Sequence, residues 1–331
     1  MIRNFSFLMM LLFSVNTHAQ SIHLFTSGTK ASFRGLSVVD DQTIWVSGSN
    51  GTILKSTDAG ESWKFLKVEG YEKTDFRDIE AFDDKTAIIM GIDSPGVILK
   101  TTDGGNSWKL VFKDDTKGMF LDAMEFMNSK NGVVIGDPIE GRFFMAKTKD
   151  GGDHWKVVPF QKRPVADNGE ACFASSGTNV RKLVGNQSIF VSGGLQSNLF
   201  INHQKISLPI VKGKETTGAN SIAIKNKKYF VIAGGDFTQK DSNQNNLIIT
   251  KDAGKNWILP KVSPHGYRSC VEYIGGDIWI TCGLNGVDIS TDNGNNFSLI
   301  SDTGFHVCRK AKNGNVIFFA GGNGRIGKLV K

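Results

Sequence analysis

An eight-residue phrase recurs five times along the chain, and its spacing limits what the chain can fold into. It reads STDAGESW at 56–63, TTDGGNSW at 101–108, TKDGGDHW at 148–155, TKDAGKNW at 250–257 and STDNGNNF at 290–297. Its aspartates, Asp58, Asp103, Asp150, Asp252 and Asp292, are separated by 45, 47, 102 and 40 residues. The third gap holds two periods, so one unit has lost its phrase. Self-similarity at a period of roughly 40–50 residues belongs to solenoids, arrays and propellers.

Each period has the same internal order. In the first, FRGLSVV reads as a strand, DDQ as a turn, TIWVSG as a second strand, GTILKS as a third, TDAGES as a turn and WKFLKV as a fourth. Short β-rich runs between Gly, Asp and Asn turns are the all-β pattern. The second strands recur as AIIMG, GVVIGD, IFVSGG, YFVIAGGD, IWITCG and VIFFAGG, which makes seven. Continuous apolar runs imply strands buried on both faces, and four-stranded sheets packed around an axis supply that burial. No stretch keeps a helical period over three turns.

The phrase therefore lies between the third and fourth strands, and its residue types suit a joint. Asp bonds backbone N–H groups across a turn, and Gly adopts the positive φ the turn needs. Trp63, Trp108, Trp155 and Trp257, with Phe297 in the fifth copy, are expected to pack as apolar plugs. Five copies around a ring cannot be one active site.

The pattern Ser/Thr-x-Asp-x-Gly-x-x-Trp resembles the Asp-box, or BNR, repeat. The wider unit FRGLSVVDDQTIWVSGSNGTILKSTDAGESW is similar to the photosystem II stability/assembly factor-like family over residues 21–331, and GDPIEGRFF at 136–144 and GEACFASSGTN at 169–179 look like phrases of its exported bacterial members. The resemblance implies a seven-bladed β-propeller of four-stranded antiparallel blades. It also implies an assembly role, since photosynthetic members hold an immature subunit of a membrane complex. Two units depart from the pattern. LFINHQ stands where the fourth box would be, and the last unit ends at Lys331 before any box. The segment IHLFTSGTKASFRGL parallels KFLKVEGYEKTDFRDI at 64–79, so the N-terminal strand is expected to close the last blade beside GRIGKLVK.

The chain is expected to divide into a signal peptide, residues 1–19, and one propeller domain, residues 20–331. Arg3 precedes an apolar run from Phe5 to Val15, followed by the small-residue site Thr17-His18-Ala19. This predicts an exported protein, periplasmic or extracellular, without stable membrane insertion. The side-chain charge of +7 becomes +6 without Arg3, and the basic residues are dispersed, which argues against a nucleic-acid partner. Cys172, Cys270, Cys282 and Cys308 allow three full disulfide pairings; buried thiols are the favoured reading. Cys270 and Cys282 fall on neighbouring strands of one hairpin, and Cys308 aligns with Cys270. No Cys or His spacing suggests a metal, and no dinucleotide or phosphate loop opens a helix, so neither metal nor cofactor is expected.

Function is expected on the face opposite the boxes. Aligned positions at the start of the innermost strands are Arg34, Arg77, Leu121, Glu170, Asn220, Arg268 and His306. Planar guanidinium groups suit carboxylate or phosphate. Asp137, Arg142, Arg163, Glu170 and Asp236 lie on the long loops of the same face. The expected binding set is Arg34, Arg77, Arg268, His306, Glu170, Asp137, Arg142 and Asp236. It defines a non-catalytic module for an acidic peptide, protein or anion, with a glycan as a further class. The alternative is a sialidase-like glycoside hydrolase, since such enzymes also carry Asp-boxes. That reading needs a Tyr nucleophile. Of Tyr71, Tyr229, Tyr267 and Tyr273, only Tyr267 is expected near the channel mouth.

Overall fold

The computed structural model describes residues 20–183, 187–201 and 203–330; the expected leader, 1–19, lies outside them. Seven antiparallel sheets surround one axis. Blade one consists of Phe33–Val38, Ile44–Gly48, Ile53–Ser56 and Lys64–Leu66. Blade two is Phe76–Ala81, Ala87–Gly91, Gly96–Thr101 and Lys109–Asp114, and blade three is Leu121–Phe126, Gly132–Ile139, Arg142–Thr148 and Lys156–Val157. Blade four, which lacks a box, is Val180–Leu183, Gln187–Val191, Asn198–Ile201 and Gln204–Ser207. Blade five is Thr217–Ile224, Phe230–Asp236 and Leu247–Thr250, its fourth strand reduced to a bridge between Ile249 and Ile258. Blade six is Cys270–Gly275, Ile278–Gly283, Gly286–Ser290 and Ser298–Ser301. Blade seven joins Val307–Lys310, Ile317–Ala320 and Ile326–Val330 to Ser21–Phe25.

The ring closes as the sequence predicts. Ser21 pairs with Val330 and Phe25 with Ile326, so the first strand is the outer strand of the last blade. Closure removes the bare end sheets of an open stack. The core is divided between the blades, because each apolar second strand is covered on both faces. One cluster joins blades one and two through Trp45, Phe76 and Ile89, and another joins blades two and three through Ile88, Met124 and Phe144.

The boxes are joints between blades. The first Ser or Thr of each phrase accepts the N–H of its Gly at 2.9 Å in all five copies. The Asp Oδ1 accepts that hydroxyl and also the N–H four residues on, as at Ser107 (2.9 Å) and Asn256 (2.9 Å). These bonds, the Ser62 hydroxyl first, hold Asp58 down to about 2. Gly105 shows why glycine is required: its φ is +84°, and a Cβ there would lie 2.5 Å from Leu66. The box aromatics pack into the clusters shared with the preceding blade: Trp108 lies edge-on to Trp45 of blade one (6.5 Å), and Trp155 joins the cluster of blades two and three, edge-on to Phe126 of its own blade (5.9 Å). Blade four meets blade three through another device, Phe190 stacked on Phe200 at 4.3 Å with Phe143 against both.

A segment the repeat does not anticipate crosses the axis. Residues 173–178 run inward from blade four and bond to blades five and six, while Arg34 of blade one reaches the Ser175 carbonyl from across the axis. Ser175 Oγ donates to Asn220 (3.0 Å), Ser176 Oγ to the Ser269 carbonyl (2.8 Å) and Thr178 Oγ1 to Ser221 (2.6 Å). Gly177 has φ +65°, and a Cβ on it would come within 2.5 Å of the Asp78 carboxyl. The segment divides the axial space into two cavities, one at each face.

Candidate functional site

The cavity on the face opposite the boxes has a volume of about 420 Å³. Arg34, Arg77, Asp137, Asn220 and His306 line it, as the sequence predicts, together with Tyr267 and Ser269. A repeated backbone irregularity aims several of these side chains. The pairing of the first two strands slips between Phe33 and Gly35, Phe76 and Asp78, Leu121 and Ala123, and Ala219 and Ser221. The extra residues are Arg34, Arg77, Asp122 and Asn220, and a bulge re-aims its unpaired residue.

Arg268 is a correction. Its N–H donates to the Gly234 carbonyl (2.8 Å), the role Phe33 plays toward Gly321 (3.1 Å) and Phe305 toward Gly283 (2.9 Å). It therefore stands one position before the bulge site, where the side chain enters the wall between blades. There it is fully buried, pairs with Asp288 through Nε (2.8 Å) and Nη2, and donates to Asn285 (2.6 Å). Ser269 takes the channel-facing place instead. Leu121 is likewise core, and Asp122 holds the aimed position.

Four other expected residues serve the loops. Glu170 is buried and accepts from Ser192, Asn198 Nδ2 (2.8 Å) and the Asp167 N–H (2.7 Å). Arg142 donates to the Arg163 carbonyl (2.7 Å) and lies over Phe160. Arg163 donates to the Val158 carbonyl (2.8 Å). Asp236 accepts the N–H (3.0 Å) and hydroxyl (2.6 Å) of Thr238, shaping its own turn.

Electrostatics at the cavity favour an anion. Arg77 Nε bonds Asp75 at 2.9 Å, whereas Arg34, among the described residues, reaches the Ser175 carbonyl alone, at 3.4 Å. Burial, then the neighbouring Arg77, lowers the Arg34 pKa. Burial, then Asp137, raises the Asp122 carboxyl well above its usual range. Asp137 is itself pushed up to about 6 by burial. His306 is pushed down to about 4, chiefly by burial and then by Arg34. Its Nδ1 lies 2.9 Å from the Phe33 carbonyl, and the neutral ring donates there, leaving Nε2 as an acceptor. His306 is therefore a polar contact near neutral pH and adds no charge. Apolar surface completes the wall: Phe173 meets Phe237 edge-on at 5.9 Å, and Phe237 and Leu284 are exposed.

Tyr267 lines the same cavity, but burial raises its phenol well above the ordinary value, and its OH donates to Asn220 (2.8 Å). That is a poor setting for a nucleophile.

The box-side end of the channel carries a second ring that the sequence pattern does not reveal. Pairing places Ser37, Glu80, Glu125, Arg181, Ala223, Glu272 and Arg309 at one equivalent position, opposite Trp45, Ile88, Val133, Ile189, Val231, Ile280 and Phe318. Their cavity is about 470 Å³. Its charges satisfy one another: Arg181 binds Glu272 (2.9 Å) and Glu125 (3.6 Å), Arg309 lies 3.8 Å from Glu272, and Lys312 binds Glu80 (2.7 Å).

Fold and joints together define a seven-bladed Asp-box propeller with one cationic, partly apolar mouth. A family model described as photosynthesis system II assembly factor YCF48 matches residues 14–100. Among solved structures, "YCF48 bound to D1 peptide" is similar over 96% of this chain and 98% of that one, at 17% identity and a TM-score of 0.67. YCF48 from Cyanidioschyzon merolae is similar over 93% and 98%, at 17% identity and 0.66. The WD40 propeller domain of Doa1 is similar over 95% and 98%, at 14% and 0.63. No protein of curated function matches the sequence. The likeness to the photosystem II stability/assembly factor-like propellers thus holds in sequence over the first two blades and in fold over the whole ring.

Proposed function

We propose that this chain is an exported, non-catalytic assembly-factor-like propeller whose channel mouth takes an acidic peptide segment carrying an apolar neighbour. One observation carries the reading: Arg34 stands in the mouth held by a single long bond to a carbonyl, with a second guanidinium beside it. A ligand carboxylate would supply the bidentate partner that geometry invites, while Phe237 and Leu284 would cover an apolar side chain. The neutral His306 would accept a backbone N–H. That a propeller of the same fold is described as bound to a peptide supports the class of ligand. A small anion or glycan is the lesser form of the same chemistry, and the buried phenol of Tyr267 weighs against the sialidase-like alternative.

The test is calorimetric titration with short synthetic peptides pairing Glu or a free carboxyl terminus with Leu or Phe. The double variant Arg34→Ala, Arg77→Ala should weaken binding by about 100-fold, as expected for two charge-assisted contacts, with the melting temperature nearly unchanged. Equal affinity of wild type and variant, or cleavage of a fluorogenic sialoside by the purified protein, would refute the reading.

A further inference from the structure

Three of the four cysteines meet inside the wall between blades six and seven. Cys270, Cys282 and Cys308 are fully buried, and their Sγ atoms all lie within 4.8 Å of one another, with Cys270 and Cys308 3.7 Å apart. The cluster is tertiary. Cys270 and Cys282 are directly paired across a hairpin, and Cys308 arrives from the next blade. By strand pairing Val307, opposite Ala320, aligns with Cys270, so Cys308 stands one residue from the expected alignment and turns its sulfur toward blade six.

We propose that these three sulfurs form a binding site for a soft monovalent metal ion, of which copper(I) is the type. Three ligands held about 2.3 Å from a metal in a trigonal plane stand about 4 Å apart, the spacing this cluster offers. Soft thiolates select soft ions. Among the described residues the oxygens nearest the Cys270 sulfur are the Cys308 carbonyl (3.4 Å) and the Thr178 hydroxyl (3.7 Å); neither makes a fourth strong ligand, which disfavours tetrahedral zinc.

The surroundings suit bound thiolates. The Cys308 N–H points at the Cys270 sulfur (3.5 Å), and an outer-shell donor of this kind orients a metal ligand. In the metal-free protein the Cys270 thiol donates to the Cys308 carbonyl at 3.4 Å; the ion would replace that proton. Each cysteine that ligates releases one proton and no electron moves, so affinity rises with pH.

Because the cluster is buried, loading belongs to folding. The full-length chain, reduced and anaerobic, is unfolded and refolded with one equivalent of copper(I), then desalted. Retention of one copper per chain, an all-sulfur shell by X-ray absorption, a thiolate-to-copper band in the near ultraviolet and a raised melting temperature are expected. Cys172→Ser should load as wild type does. Cys282→Ala and Cys308→Ala should each retain copper more than about tenfold less well, by the scale of lost ligation. Should either variant fold poorly, the wild type refolded with and without copper still decides the matter. Loss of copper on desalting, equal loading of a Cys282→Ala protein that folds, or a Cys270–Cys308 disulfide in the purified protein would overturn the site.

Discussion

The two ends of the axial channel are built by the same seven strands and resolve their charges in opposite ways. At the box side, Arg181, Arg309 and Lys312 each face a carboxylate of Glu80, Glu125 or Glu272. At the other end, Arg34 has a carbonyl at 3.4 Å and a like charge beside it. Asp75 is bonded to Arg77 and acts on the half-buried Arg34 only through space, so the fold gains little from Arg34 as it stands. The contrast separates residues that hold the ring from residues left open to a partner.

Arg181→Ala breaks the contrast most sharply. It strands Glu272 and Glu125 at a buried end and removes the bond from Arg181 Nε to the Ile222 carbonyl (3.1 Å). Loss of one partner of a buried pair costs about 3–5 kcal/mol, so urea unfolding should register a loss of about that size while peptide affinity at the other end holds. Arg34→Ala, measured alongside, should change stability by less than about 0.5 kcal/mol, the usual range for sites without such partners. Similar losses for the two would mean that both ends are structural.

Thr101→Val tests the joint. It deletes the hydroxyl that donates to Asp103 (2.8 Å) and accepts the Gly105 N–H (2.9 Å) in a buried turn. Stability should fall by about 1–2 kcal/mol, with peptide binding intact.

The smallest effect is one of pH. Asp137 has its pKa raised to about 6 by burial, so its proton is held below that pH and lost above it. An acidic peptide should bind a few-fold more weakly as pH rises through about 6, because a new negative charge then faces it. The folded protein should also lose a little stability over the window from about 4 to 6, since a raised carboxyl pKa favours the fold only while protonated. Asp137→Asn should flatten both curves; a profile unchanged by that substitution would remove Asp137 from the site.

Repeated features were the legible ones. The boxes, the second strands and the parallel between 64–79 and the N-terminal segment fixed blade number and closure, because each was written several times. Arg34, Arg77 and His306 were found at the mouth for the same reason, and Asp137 from the long loop that follows the second strand of blade three. Arg268 and Leu121 were misplaced by one residue, since a bulge inserts a position that apolar pattern alone does not reveal. Glu170, Arg142 and Asp236 looked like loop chemistry and proved to be loop scaffolding, a distinction that rests on partners distant in sequence. The box-side ring was invisible for that reason too, while of the cysteine cluster the Cys270 and Cys282 hairpin pair was legible and the approach of Cys308 from the next blade was not.

The crossing segment at residues 173–178 gives the cup a floor. Whatever enters from the cationic side must back out by the same opening, so an extended polypeptide cannot be threaded from rim to rim.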